Sequence, residues 1–207
     1  MARFTSMTFG SISGRHGSAV AVVMKNNKNV LKVFNAPYDP KSEEQLAQRS
    51  KFGFVVSRMA CLRDVFKVTF QKKGAHNHGV SLAFKTAVTG TSPDYSIDYP
   101  KLIVSEGSLT VSREASAQKT TGNSVMVNWS TELMDFSIAN DKVSLVFFQE
   151  EDQVAVLKQN CTLRSVGMIT VDLPVEWAGG NVHSWIYFST PNGSRNSLSS
   201  YISRIQL

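Results

Sequence analysis

His76 and His78 form the clearest candidate ligand pair in the sequence, an H-x-H spacing within a polar stretch. A zinc site needs three or four such donors, and no third ligand stands at a diagnostic interval from this pair. Cys61 and Cys161 are too scattered for a zinc knuckle; a disulfide between them is one reading, and two free, buried thiols in a reducing compartment are the expected one. Glu150, Glu151 and Asp152 cluster at a predicted turn. Solvation is their expected role, because acid–base work needs two positioned carboxylates or a histidine with a partner. Gly10, Gly14 and Gly17 make a G-x-x-x-G-x-x-G run that lacks the dinucleotide spacing and has no Gly-Lys-Ser/Thr after it. Between Gly10 and Gly14 the central residue is Ile12, so no nucleophile elbow stands there either. These glycines read as bends. The chain is therefore expected to be no enzyme, with no catalytic, cofactor-binding or metal-binding residues and no cofactor.

Charge gives a second kind of candidate. Residues 1–75 hold 13 Lys/Arg against 4 Asp/Glu, while residues 76–207 hold 9 against 12. Arg3, Arg15, Lys25, Lys28, Lys32, Arg49 and Lys51 are the candidate contacts, interleaved with Phe4, Phe9 and Phe34. Such a face suits an acidic neighbour in an assembly, or single-stranded nucleic acid held by charge and stacking. It also suits a plain solvated surface. No recognised nucleic-acid-binding signature accompanies it.

The elements that must position these residues follow from periodicity. Residues 1–34 read as paired strands, with a polar turn at Lys25–Asn29 between two β-branched runs. A linker containing Pro37 and Pro40 follows. Ser42, Glu43, Glu44 and Gln45 then make a strong helix start, a hydroxyl cap with acids in the first turn. The helix is predicted over Glu43–Leu62, with Leu46, Phe52, Val55, Val56, Met59 and Leu62 as its apolar face. A loop is predicted at 71–79 and a short helix at Val80–Val88. From Tyr95 the period becomes two. Strands are predicted at Leu102–Val104, Leu109–Ser112, Ser124–Trp129, Lys142–Phe148, Gln153–Lys158, Met168–Leu173, Val182–Ser189 and Arg195–Arg204, with Trp129, Trp177 and Trp185 as core anchors.

The predicted fold class is mainly β (α+β): an N-terminal hairpin or arm plus helix, then an antiparallel immunoglobulin/fibronectin-III-like β-sandwich. The predicted domains are 1–95, the basic arm, hairpin and helical region, and 96–207, the sandwich. At 207 residues and 42% hydrophobic content the chain can bury a core without staples. It contains no continuous apolar run of membrane-spanning length. Its first residues lack the apolar core of a signal peptide, so synthesis in the cytoplasm is expected.

Several segments carry a resemblance: Phe9-Gly-Ser-Ile-Ser-Gly-Arg-His-Gly17, Ser42–Phe52, Ser96–Pro100, Ser105–Leu109, Asn140–Val143, Tyr187–Gly193 and Asn196–Tyr201. Together these resemble an uncharacterised family of Bacteroidota and their phages, domain of unknown function 6266, over nearly the full length. The piece Leu46-Ala-Gln-Arg49 with Phe52 is the most specific, and Ser42 stands where the family usually has Thr. The family has no assigned activity, so no site residue carries over. The resemblance leans toward particle-associated proteins. The expected function is a non-enzymatic structural component of a multi-subunit assembly, in the first place a phage virion protein of neck, tail or head. Its expected partners are other copies of itself and other structural proteins, with no membrane. The alternative is a nucleic-acid-binding protein that uses the basic N-terminal region.

Overall fold

A computed structural model describes residues 2–4, 10–26, 28–36, 38–39, 41–112, 114–133 and 137–207. The chain divides into two compact units, Met1–Ser42 and Glu43–Leu207. The first holds four strands: β1 (Ala2–Phe4), β2 (Gly14–His16), β3 (Ala19–Val23) and β4 (Asn29–Val33). They form one antiparallel sheet in the order β1-β4-β3-β2. The predicted hairpin is its centre, with Ala21 opposite Leu31 and Val22 opposite Val30. Gly17 takes φ +58 in the turn from β2 to β3, a left-handed conformation that a side chain would strain. Buried Asn29 donates from Nδ2 to the Gly10 carbonyl (2.9 Å) and so ties the preceding loop to the sheet. Met7 and Phe9 lie outside the described residues, as do the side chains of Arg3 and Phe4.

The second unit opens with three helices: α1 (Glu43–Met59), α2 (Arg63–Thr69) and α3 (Ala75–Thr86). α1 begins where the Ser42 start predicts, and a single 3-10 turn at Ala60–Leu62 joins it to α2. The hairpin β5 (Val88–Thr91) and β6 (Asp94–Ile97) comes next. Seven strands complete the unit: β7 (Ala115–Lys119), β8 (Ser124–Trp129), β9 (Lys142–Gln149), β10 (Val154–Leu163), β11 (Met168–Asp172), β12 (Asn181–Ser189) and β13 (Ser200–Gln206). They make two antiparallel sheets, β11-β8-β7 and β10-β9-β12-β13. The two sheets form a β-sandwich. The fold is mainly β, as the periodicity predicts. The predicted strands at Leu102–Val104 and Leu109–Ser112 are instead irregular: Leu109 makes an isolated bridge to Ser197, and the Val104 amide donates to Ser199 Oγ (2.9 Å).

The four-stranded sheet is covered on both faces. Val143, Leu145 and Phe147 of β9 and Val182, Ile186 and Phe188 of β12 turn toward the three-stranded sheet and meet Val125, Val127 and Trp129. Val146, Phe148, Trp185 and Tyr187 turn the other way and meet Val55, Met59, Leu62, Phe66 and Ala83 of the helices. The indole of Trp185 donates to the Leu102 carbonyl (3.1 Å), and that of Trp129 to the Arg164 carbonyl (2.9 Å). The change of period predicts a boundary at residues 95/96, but the compact units part at Ser42/Glu43. The reason is physical: the helices fill the second face of the central sheet, so helix and sandwich share one core.

Candidate interaction surface

α1 has two apolar faces and buries one. Val55 and Met59 are fully enclosed, whereas Leu46, Phe52 and Val56 remain 48%, 55% and 37% exposed. Phe52 and Val56 border a groove between α1 and α3 with a volume of about 840 Å³. α1 contributes Gln45, Gln48, Arg49, Phe52, Gly53 and Val56; α3 contributes His76, Asn77, Val80, Ser81 and Phe84. The spacing on both helices is three and four residues, so each supplies one stripe to one wall. Phe84 packs edge-on to Phe52 with ring centroids 6.2 Å apart, and Lys51 Nζ lies 4.8 Å from the Phe84 ring centroid.

Gly53 lies in the middle of α1, where glycine costs about 0.5–1 kcal/mol relative to alanine. Within the second unit nothing requires it, since a Cβ built there would meet no atom within 4 Å. Gly79 of α3 differs, because its Cβ would lie 2.5 Å from the Phe66 ring. One glycine makes room for a core side chain; the other keeps the groove floor open.

The groove has an electrostatic direction. Its Gln45 end adjoins Glu43 and Glu44, the acids of the first turn of α1. At the other end, burial first and then the positive charges of Arg63 and Lys67 hold the His76 imidazole below the ordinary histidine range.

The candidate contacts named from charge do not come together as one demonstrated patch. Arg15, Lys25, Lys28 and Lys32 belong to the first unit, all exposed. Arg15 and Lys32 both register with Val20 and so share a face of that sheet. The Arg15 guanidinium also lies 3.9 Å from the Phe34 ring centroid. Arg49 and Lys51 belong to the second unit, where Arg49 lines the groove and Lys51 lies over the Phe84 ring.

His76 and His78 lie in the first turn of α3, not in the predicted loop. They take different neighbours. His76 faces Phe66, with ring centroids 6.3 Å apart. His78 Nε2 stands 2.7 Å from Glu106 Oε2, and Lys72 Nζ stands 3.2 Å from the same oxygen. His78 and then Lys72 hold the Glu106 carboxyl below the usual range. Among the described residues no group of three His, Cys, Asp or Glu is placed to hold a metal ion. Cys61 and Cys161 are free and half-buried, and burial raises both thiol pKa values.

The acidic turn after β9 does more than solvate. Glu150 Oε2 reaches Arg204 (3.1 Å) and His183 Nε2 (3.5 Å), and Glu151 Oε1 accepts from the Asn181 amide nitrogens at 3.1 and 2.9 Å. His183 stacks on Tyr99 at 4.1 Å and contacts the Tyr201 hydroxyl at 3.0 Å. This is a packed polar corner. Periodicity alone puts Phe52 and Val56 on the same inward face as Val55 and Met59, so it gives no sign of the groove.

These features define a mainly β chain in which a β-sandwich carries a helical cap, with a small basic sheet preceding both in the sequence. The family of unknown function DUF6266 matches residues 11–203, and the chain belongs to that family. No curated protein matches it.

Proposed function

We propose that this chain is a non-enzymatic structural subunit of a multi-protein assembly, and in its narrower form a component of a phage or phage-like particle. The observation that carries the reading is the open α1–α3 groove, where Phe52 and Val56 stay exposed on a helix that packs its other face tightly. Exposed apolar surface of this kind belongs to interaction sites more than to free surfaces. The first unit supports the same reading, since its sheet ends in the short strands β1 and β2 and leaves Val22, Met24, Leu31 and Val33 exposed. Such sheet edges accept strands from neighbours. The particle form rests on the family resemblance and on the analogy of arm-plus-sandwich subunits.

The test is sedimentation of lysates from cells that make the chain, with detection by antibody. The expected result is a species far heavier than the 22.8 kDa chain, dissolved by Phe52→Glu. A native chain found only as a free monomer defeats the proposal.

A second reading, nucleic-acid binding, is favoured by one observation, the shared face of Arg15 and Lys32 beside the Arg15–Phe34 contact. Its mark is affinity for single-stranded oligonucleotides that falls steeply with salt. Affinity unchanged by Arg15→Ala with Lys32→Ala would remove it.

A further inference from the structure

We infer that a small polar cavity at one end of the central sheet binds the vicinal-diol edge of a neutral sugar ring. The cavity, about 90 Å³, lies between the end of α2, strands β9, β10 and β12, and the loop from β12 to β13. It is separate from the α1–α3 groove, and the assembly reading does not bear on it. The chemistry of the sheet changes here. On the face turned to the helices, β9 and β12 elsewhere present Val146, Phe148 and Trp185. At the cavity they present Ser144, Tyr187 and Ser189, only 1%, 3% and 6% exposed. Ser144 and Tyr187 stand opposite each other in the ladder. Hydroxyls in place of packed hydrocarbon are costly to bury unless they are hydrogen-bonded.

Two backbone departures shape the walls. The β9–β10 register shifts between Lys158 and Thr162, and Asn160 within that bulge takes φ +49. Its amide donates to Ser144 Oγ (3.0 Å), and its Oδ1 accepts from Ser189 Oγ (3.3 Å). On the α2 side Gln71 takes φ +47 and donates from Nε2 to the Gly193 carbonyl (2.9 Å). Asn196 Nδ2 donates to the Thr69 carbonyl (2.7 Å), which fastens the same loop to α2. Bulges re-aim side chains beside sites, and left-handed non-glycine residues persist where their surroundings hold them. Asn160 Nδ2 and Gln71 Oε1 make no bond among the described residues, which leaves a donor on β10 and an acceptor beyond α2.

The lining selects the ligand. No charged side chain among the described residues lines the cavity, so an anion or a metal ion would lose its hydration there without a counter-charge. A sugar hydroxyl both donates and accepts, as the Ser, Tyr, Asn and Gln groups around it do. Burial pushes the Tyr187 hydroxyl above its ordinary pKa of 10.0, so it stays a protonated donor. The volume is far below the roughly 300–1,000 Å³ of a pocket that encloses a drug-sized ligand, and suits two adjacent hydroxyls with the ring outside. Val68, 40% exposed where α2 borders the cavity, offers the ring's C–H groups an apolar contact.

The experiment is saturation-transfer NMR and calorimetric titration of the full-length chain with D-glucose, D-galactose, D-mannose and N-acetyl-D-glucosamine. At least one is expected to bind with a Kd on the order of 1 mM, the strength that one small neutral ring can supply. Asn160→Gly and Gln71→Gly are each expected to weaken that binding about tenfold or more. Both variants should keep a cooperative thermal transition, because glycine accepts the left-handed backbone at either position. Tetrahydropyran, the same ring without hydroxyls, is expected not to bind, and inorganic phosphate and calcium are expected not to compete. A methyl glycoside that binds as well as its free sugar assigns the site to the end of a glycan, and one that fails assigns it to a free monosaccharide. Either result upholds the diol site. Failure of all four sugars to bind overturns the inference, as does binding that both glycine variants leave unchanged. Displacement of the sugar by tetrahydropyran or by phosphate overturns it as well.

Discussion

In the second unit both core clusters are enclosed and all three tryptophans are buried, whereas the first unit fully buries only Ala21 and Val30 among its described apolar side chains. The first unit also carries 6 Lys/Arg against 1 Asp/Glu, and so supplies most of the net charge of +6. Packing on both faces of one sheet gives the second unit a core of its own. The first, a single sheet of short strands, leaves Val33 76% exposed and presents cations around it. The contrast separates residues selected by packing from residues available for contact.

The sharpest way to break the contrast is to strike the middle layer. Trp185→Ala removes a fully buried indole and its bond to Leu102, and should cost about 3–5 kcal/mol in chemical denaturation. A loss below about 1 kcal/mol would mean that the helices do not share the sheet's core. Ser42→Ala, at the start of α1, should cost about 0.5–2 kcal/mol. An unmoved denaturation midpoint would place the helix start elsewhere.

A smaller effect concerns pH. Burial holds the His183 pKa below its ordinary 6.5, against the pull of Glu150. On acidification the unfolded chain takes up that proton before the folded chain does. The stability is therefore fully present above about pH 6.5 and is lost as pH falls below that value toward the folded pKa. Thermal midpoints between pH 7.5 and 5 should show this loss, and His183→Gln should reduce it, leaving the part that His76 contributes in the same window. Glu106, whose folded pKa is depressed, contributes its loss lower, below its ordinary 4.5. The smallest effect belongs to the first unit: Val33→Ala should change stability by less than about 0.5 kcal/mol, because its side chain is already in water. A cost like that of Trp185→Ala would show that the first unit hides a core.

Much of the fold is legible where one residue type signals one local physics. Ser42 with Glu43 and Glu44 marks the start of α1, and the apolar runs of β8, β9, β11 and β12 mark strands within a residue or two. The start of α3 is hidden because its buried face is made of small residues. Ala75, Gly79 and Ala83 pack closely enough that Gly79 sits under the Phe66 ring, so hydrophobic period fails to announce the helix. β7 is hidden for a related reason, since only Ala115 and Ala117 of Ala-Ser-Ala-Gln-Lys face the core. The boundary at 95/96 follows a real change of period but overlooks the uninterrupted burial of β9 and β12, which marks a sheet covered twice. The groove depends on how α1 meets α3, and no spacing within either helix encodes that.

The double covering of β9 and β12 also sets a timetable for isotope exchange. Each of these strands has a hydrogen-bonded neighbour on both sides and a packed layer above and below. Their amides can meet deuterium only when the second unit opens as a whole, so their protection should report the global free energy of unfolding. The amides of Gly14–His16 on the outer strand β2 need no such event and should exchange through local fraying. A single exchange experiment would thus order the molecule from its last strand to open to its first.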